Sequence, residues 1–193
     1  MFAAGTLEEA LSTLGEVLAS RNQRIEVVAI GGAALHLLGA ITRPTKDIDV
    51  VALVVDGALE TSKPFPAALV QACADVARAL DLSADWMNGG PTSLLQFGLP
   101  DGMLARAERR DFGGGLVVHV ASRIDQIHFK LYAAVDGWPQ KSKHIQDLRK
   151  LAPTLDELRA AASWFTHDPS EGYRMLCRDL LKHLGAGGAI DEQ

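Results

Sequence analysis

Two aspartates separated by one residue, Asp47 and Asp49, carry the sharpest chemical signal in this 193-residue sequence. They follow Arg43-Pro44-Thr45-Lys46 and lie downstream of a glycine pair, Gly31-Gly32. On an extended strand, residues two apart leave the same face, about 7 Å from one another. Two carboxylates so placed repel each other unless water or a cation neutralises them. Mg²⁺ (or Mn²⁺) suits the pair, because it takes one or two protein carboxylates and completes its shell with water and substrate phosphates. The glycines close an apolar strand and open a helical stretch. Backbone N–H groups there, with no side chains in the way, favour a phosphate. Taken singly, the glycines read as a tight turn and the aspartates as a solvated strand edge. Together they supply phosphate donors, a cation and paired carboxylates, which is what a nucleotide site needs.

Other chemistries find little support. The sequence has no GxxxxGK(S/T) phosphate loop, GxGxxG turn, GxSxG elbow or HExxH motif. Its six histidines are scattered, none at a metal-ligand spacing from a cysteine or another histidine. Cys73 and Cys177 are the only cysteines, which excludes a disulfide framework and a four-cysteine zinc site and fits a reduced cytoplasmic setting. A net charge of −5 counts against broad duplex-DNA or anionic-membrane binding. The apolar run Val27 to Ile41 is too short and too broken by glycine and His36 to span a bilayer. No signal peptide is expected, since no cationic flank precedes an apolar run.

The elements that must position the aspartates are legible in part. Hydrophobic residues make up 48% of the chain, enough for a packed core. Leu7, Leu11, Leu14 and Leu18 follow a Thr6-Leu7-Glu8-Glu9 capping box, which predicts a helix over Thr6 to Arg21. A buried strand is expected over Ile25 to Ile30, a helix over Ala33 to Leu38, a strand over Asp47 to Val55 and a helix over Pro64 to Leu80. Ser93 to Phe97 and Leu116 to Val120 read as further strands. From Ser122 the pattern turns helical: Ile124, Ile127, Leu131 and Val135 mark one helix and Ile145, Leu148 and Leu151 another. Leu155 to Phe165 and Glu171 to Leu184 mark two more. The expected organisation is an α+β core over residues 1–121, a helical region over 122–184 packed on it, and a flexible tail over 185–193.

The first motif resembles that of the nucleotidyltransferase superfamily, in particular its AbiEii-type and related toxin-like members. Those proteins carry a Gly-Gly or Gly-Ser pair at a helix start, then R-x-T-x-D-I-D on a strand. Here the corresponding run is Arg43-Pro44-Thr45-Lys46-Asp47-Ile48-Asp49. Asp85-Trp86-Met87-Asn88 is similar to a D-W-L-N element of close relatives. Phe129-Lys130-Leu131-Tyr132-Ala133-Ala134 and Lys143-His144-Ile145-Gln146-Asp147-Leu148 look like the K-L-x-A and K-D-x-x-D-L elements.

The resemblance implies a small mixed sheet with flanking helices, Mg²⁺ on Asp47 and Asp49, and an NTP whose triphosphate faces Gly31 and Gly32. Arg43, Thr45 and Lys130 would serve the nucleotide, and Lys130 and Asp147 would belong to the active site. The acceptor would be an RNA end, a protein or a small molecule, with an antitoxin or a second copy of the chain as further partners. Two departures stand out. His144 replaces an aspartate of the relatives, and no later strand offers a third carboxylate. The strand Leu116 to Val120 offers only His119, which leaves Asp85 as the substitute metal ligand. A nucleotide-binding protein with an impaired site is the alternative these departures favour.

The residues themselves permit simpler roles for the later elements. On its helix Lys130 lies about 60° from Ile127, at the border of the apolar stripe, where a lysine is either solvated or buries its stem and turns its ammonium to a cleft. Asp147, among Lys143, Arg149 and Lys150, reads equally as a surface ion-pair residue. Asp85-Trp86 is equally a turn with a core tryptophan. Met103, Trp138 and Trp164 read as packing.

Overall fold

Residues 2, 4–140, 142–164 and 171–186 are described by the computed structural model. The chain divides into two units, Met1–Ser122 and Arg123–Gln193.

In the first unit, α1 (Ala4–Ser20) precedes β1 (Ile25–Ile30), α2 (Gly31–Leu37), β2 (Ile48–Val55) and β3 (Ala58–Thr61). α3 (Ala67–Ala79), β4 (Met87–Asn88), a 3-10 segment over Gly90–Phe97 and α4 (Met103–Arg106) follow, before β5 (Glu108–Phe112) and β6 (Leu116–Val120). The strands form one mixed sheet of order β3-β2-β1-β6-β5, with β4 added beside the start of β2. β1 runs parallel to β6 and antiparallel to β2. The fold class is therefore α+β, a mixed sheet with flanking helices, as the sequence led one to expect.

One face of the sheet carries the main core. Leu7, Leu11, Leu14 and Leu18 of α1 and Leu69, Ala72 and Val76 of α3 pack there with Val27, Ala29, Val118 and Val120. On β2, Ile48, Val50 and Leu53 all join this cluster, although strict alternation would send Leu53 to the face opposite Val50. A β-bulge reconciles them. Val28 pairs with Ala52 and Ala29 with Val50, so Val51 is the extra residue that restores the phase. The bulge keeps both halves of β2 on the core while Asp49, between Ile48 and Val50, turns to the other face.

α1 approaches the β5–β6 turn at backbone distance. A Cβ on Gly15 would overlap the carbonyl of Phe112, and one on Gly113 would overlap the backbone of Ser12 and Glu16. Glycine here is a packing requirement.

The differences from the sequence reading have physical causes. Ser93 to Phe97 is not a strand but part of the 3-10 segment: Pro91 opens it, Gly98 closes it with φ 76°, and its Leu94 and Leu95 are not β-branched. β3, β4 and β5 were not expected. β4 has two residues, β3 is mostly exposed, and β5 is the charged run Glu-Arg-Arg-Asp-Phe at the sheet edge, where alternation is masked.

The second unit is helical: α5 (Arg123–Asp136), α6 (Lys143–Leu151), α7 (Leu155–Trp164) and α8 (Glu171–His183). α5 contacts each of the other three. Ile124, expected inward, is 41% exposed, whereas Ile127, Leu131 and Val135 are fully buried. Ser142 caps α6 by accepting the Ile145 N–H at 3.4 Å. Thr154 and Glu157 form a capping box on α7: the Glu157 N–H donates to Thr154 Oγ1 at 3.2 Å and the Thr154 N–H to Glu157 Oε2 at 2.8 Å. Arg123 closes the same corner, donating to Leu151 O at 2.7 Å and pairing with Glu157 at 2.6 Å. Of the expected tail, residues 187–193 lie outside the described residues, as does Phe165 of the expected helix Leu155 to Phe165. Among the described residues, no helix is long and apolar enough to cross a membrane.

Two stability measurements follow from these contacts. Gly15→Ala should cost about 1–3 kcal/mol in urea unfolding, because backbone must move to admit the methyl group. Arg123 holds the Glu157 carboxyl below its ordinary range. A carboxylate depressed in the folded state stabilises above the unfolded value near pH ~4.3, and that contribution fades as pH falls through the lower folded value. Glu157→Gln keeps the capping box but removes the charge. It should lose under about 1 kcal/mol at pH 7, the pair being partly solvent-exposed, and should lose less than the parent on acidification below pH ~4.

Candidate functional site

The C-terminal end of β1 and the N-terminal end of β2 meet where the glycine pair and the aspartates come together. Ile30 pairs with Asp49 across the two antiparallel strands, and Asn88 pairs with Asp49 from the other side. Immediately after Ile30 the chain turns at Gly31, with φ 77°, into α2. A Cβ on Gly31 would stand 2.6 Å from Asp49 Oδ2. A larger residue therefore fails twice, on backbone conformation and on space. Asp49 Oδ1 accepts the side-chain amide of Asn88 at 3.2 Å.

The neighbouring glycine faces the loop that precedes β2. A Cβ on Gly32 would come within 2.7 Å of Thr45 Oγ1 and 3.6 Å of Arg43 Nη2. That loop is tied down at three points. His36 Nε2 donates to the Arg43 carbonyl at 2.5 Å. Thr45 and Phe2 exchange backbone hydrogen bonds, Phe2 N–H to Thr45 O at 2.7 Å and Thr45 N–H to Phe2 O at 3.2 Å. Thr45 Oγ1 donates to Asp47 O at 3.2 Å. Asp47 and Asp49 are half-buried, with buried Ile48 between them. The structure thus gathers Gly31, Gly32, Arg43, Thr45 and Asp49 around one turn, with Asp47 directly preceding β2.

Asp85 is placed differently. It is exposed on the turn before β4, where the Ser83 hydroxyl donates to its carboxylate and holds it below the ordinary range. Trp86 beside it is a core residue, its Nε1 donating to Cys73 O at 3.0 Å. Ile48 N–H donates to Trp86 O at 2.8 Å, so this tryptophan also anchors the start of β2. Among the described residues, no three His, Cys, Asp or Glu side chains are grouped to hold a metal ion. Asp85 therefore does not complete a three-carboxylate set with Asp47 and Asp49. His119 is engaged elsewhere, 2.8 Å from Glu26 Oε2.

Residues 6–65 match a family model described as "Nucleotidyltransferase of unknown function (DUF6036)". Over this segment, about a third of the chain, the sequence is similar to that nucleotidyltransferase family. The matched residues contain the glycine pair, the Arg-Pro-Thr-Lys loop and both aspartates. No curated protein and no solved structure matches the chain. Asn88, Lys130 and Asp147 lie beyond the matched residues.

In the helical unit, Lys130 Nζ lies 2.8 Å from Asp147 Oδ2, joining α5 to α6. Both are buried, their side chains 4% and 0% exposed. Asp147 is therefore not the surface ion-pair residue that its basic neighbours suggested. Helix periodicity could not show this, because the partner sits on another helix. Asn88 was the other residue whose role the sequence hid: its value comes only from the register of β4 on β2.

Removing one member of a buried pair strands a charge, whereas replacing both with apolar groups does not. Asp147→Leu alone should destabilise the chain by about 3–5 kcal/mol. Lys130→Met combined with Asp147→Leu should recover most of that loss, as read from urea denaturation of all three variants. Equal losses in the single and double variants would show that the pair is not what the burial rests on.

Proposed function

We propose that the chain is a metal-dependent nucleotidyltransferase that moves a nucleoside monophosphate from an NTP to a hydroxyl acceptor. The observation that carries this reading is the seating of the Asp49 carboxylate against the backbone of Gly31, beside a loop that sets Arg43 and Thr45 against Gly32. One turn then offers a carboxylate edge to a cation and a side-chain-free, cationic edge to phosphate. The donor set fits Mg²⁺ or Mn²⁺: two half-buried carboxylates two residues apart leave most of the coordination shell to water and substrate phosphates. Bound there, such an ion would neutralise the triphosphate oxygens and the charge on departing pyrophosphate.

The chain's own residues do the rest. Gly31 and Gly32 admit the triphosphate close to the backbone, and Arg43 and Thr45 orient its oxygens. The acceptor oxygen forms a bond to the α-phosphorus as the bond to the β-phosphate oxygen breaks. Pyrophosphate leaves, and the hydroxyl proton passes to a carboxylate or to water. Lys130 and Asp147 enter as the active-site residues implied by the K-L-x-A and K-D-x-x-D-L resemblance, with the Lys130 ammonium held by Asp147. An RNA end, a protein hydroxyl or a small molecule would serve as acceptor. The net charge of −5 disfavours extended duplex contact and leaves a single RNA end acceptable. A cytoplasmic location accords with two buried free thiols, Cys73 and Cys177.

A second reading is a nucleotide-binding protein, or a toxin–antitoxin partner, whose site no longer turns over. It is favoured by the absence, among the described residues, of a third clustered carboxylate. Incubation with α-³²P-labelled NTPs, Mg²⁺ and total RNA or cell extract separates the two. Label transfer that disappears in Asp47→Ala and Asp49→Ala is expected for the enzyme. Nucleotide binding without transfer to any acceptor would move the assignment to the second reading.

A further inference from the structure

We infer that Asn88 is the positioning residue of this site: it fixes the Asp49 carboxylate for the divalent cation while adding no charge of its own. The inference rests on the nucleotidyltransferase reading above and goes beyond it to a residue outside the matched segment.

An asparagine amide can turn either end toward a neighbour, and the local hydrogen bonds decide which. Here the Gly90 N–H donates to Asn88 Oδ1 at 2.9 Å. A backbone N–H can only donate, so the carbonyl end of the side chain must face Gly90. The NH₂ end is thereby committed to Asp49, where it donates to Oδ1 at 3.2 Å. The backbone supports the same arrangement. Asn88 is the register partner of Asp49 on β4, and Ile48 N–H to Trp86 O at 2.8 Å anchors the strands one step earlier. Gly89 keeps the following turn close, since a Cβ there would stand 2.5 Å from Ser62 O. The Asp49 carboxylate is thus bracketed, with Asn88 on Oδ1 and the Gly31 turn beside Oδ2.

A neutral donor is the right chemical choice for such a place. It orients the carboxylate through a charge-assisted hydrogen bond without competing for the cation. A carboxylate at the same position would repel Asp49 until a cation arrived, and would then strengthen cation binding by raising the ligand charge. Asn88 therefore makes strong divalent binding depend on substrate phosphates rather than on the protein alone.

The test measures binding, with the full-length chain, Mn²⁺ as the ion and ATP as the nucleotide probe, followed by Mn²⁺ electron paramagnetic resonance. Asn88→Ala should weaken Mn²⁺–ATP binding by about tenfold. Asn88→Asp keeps the shape and the acceptor for Gly90 N–H, so a merely structural role leaves its Mn²⁺ binding unchanged. The positioning role instead gives about tenfold tighter Mn²⁺ binding without ATP. Melting curves establish that each variant is folded. Asp49→Asn is the control on the site itself. If it leaves Mn²⁺–ATP binding intact, the nucleotidyltransferase site is misplaced. If it abolishes binding while both Asn88 variants bind as the parent does, only the inference about Asn88 is overturned.

Discussion

At the end of β1 a backbone turn and a carboxylate compete for the same space, and only a residue without a side chain resolves the conflict. Gly31, at φ 77°, lets the chain leave the sheet for α2 while Asp49 Oδ2 lies where a Cβ would otherwise press. The neighbouring features follow from this contact. The Ile30–Asp49 pairing places it, Gly32 extends it toward Thr45 and Arg43, and Asn88 holds the far oxygen of the same carboxylate. A methyl group at either glycine would displace the groups that make the turn chemically useful.

The sheet is arranged to present that turn. The bulge at Val51 keeps Ile48, Val50 and Leu53 in one core, which lets β2 bury apolar residues along its length and still direct Asp49 away from them. Trp86 contributes in the same sense, bonding to α3 through its indole and to the first residue of β2 through its carbonyl. The core therefore stabilises the fold and also sets the phase of the strand that carries Asp49. In the helical unit, the Lys130–Asp147 pair joins two helices at a buried point where either charge alone would be costly.

Much of this could be read from residue types. The β-branched run Ile25 to Ile30, the leucines of α1 and the helical spacing after Ser122 announce elements that the structure contains, because strong periodicity records which side of an element is buried. The glycine pair and the acidic pair read together as parts of one site, and the structure brings Gly31, Gly32 and Asp49 around one turn. What stayed hidden depends on pairing between distant segments. β4 is two residues long and has no pattern of its own, so the Asp85-Trp86-Met87-Asn88 element marks Asn88 in the sequence while its partner, Asp49, emerges only from the strand register. β5 is a charged edge that resembles a loop. The Val51 bulge leaves no trace in composition. Asp85 is the substitute carboxylate that the sequence offers in place of one on a later strand, yet the turn that buries Trp86 leaves Asp85 at the surface with Ser83.

The central claim is that Asp47 and Asp49 face a divalent cation while the Gly31–Gly32 turn faces the triphosphate. A crystal structure with Mn²⁺ and a non-hydrolysable ATP analogue, using the anomalous signal of manganese, addresses it most directly. The expected result is a manganese peak about 2.1–2.2 Å from an Asp49 oxygen, shared with Asp47 and the phosphates, with the triphosphate along the backbone of the two glycines. A nucleotide seated elsewhere on the chain, with manganese at neither aspartate, would contradict the account.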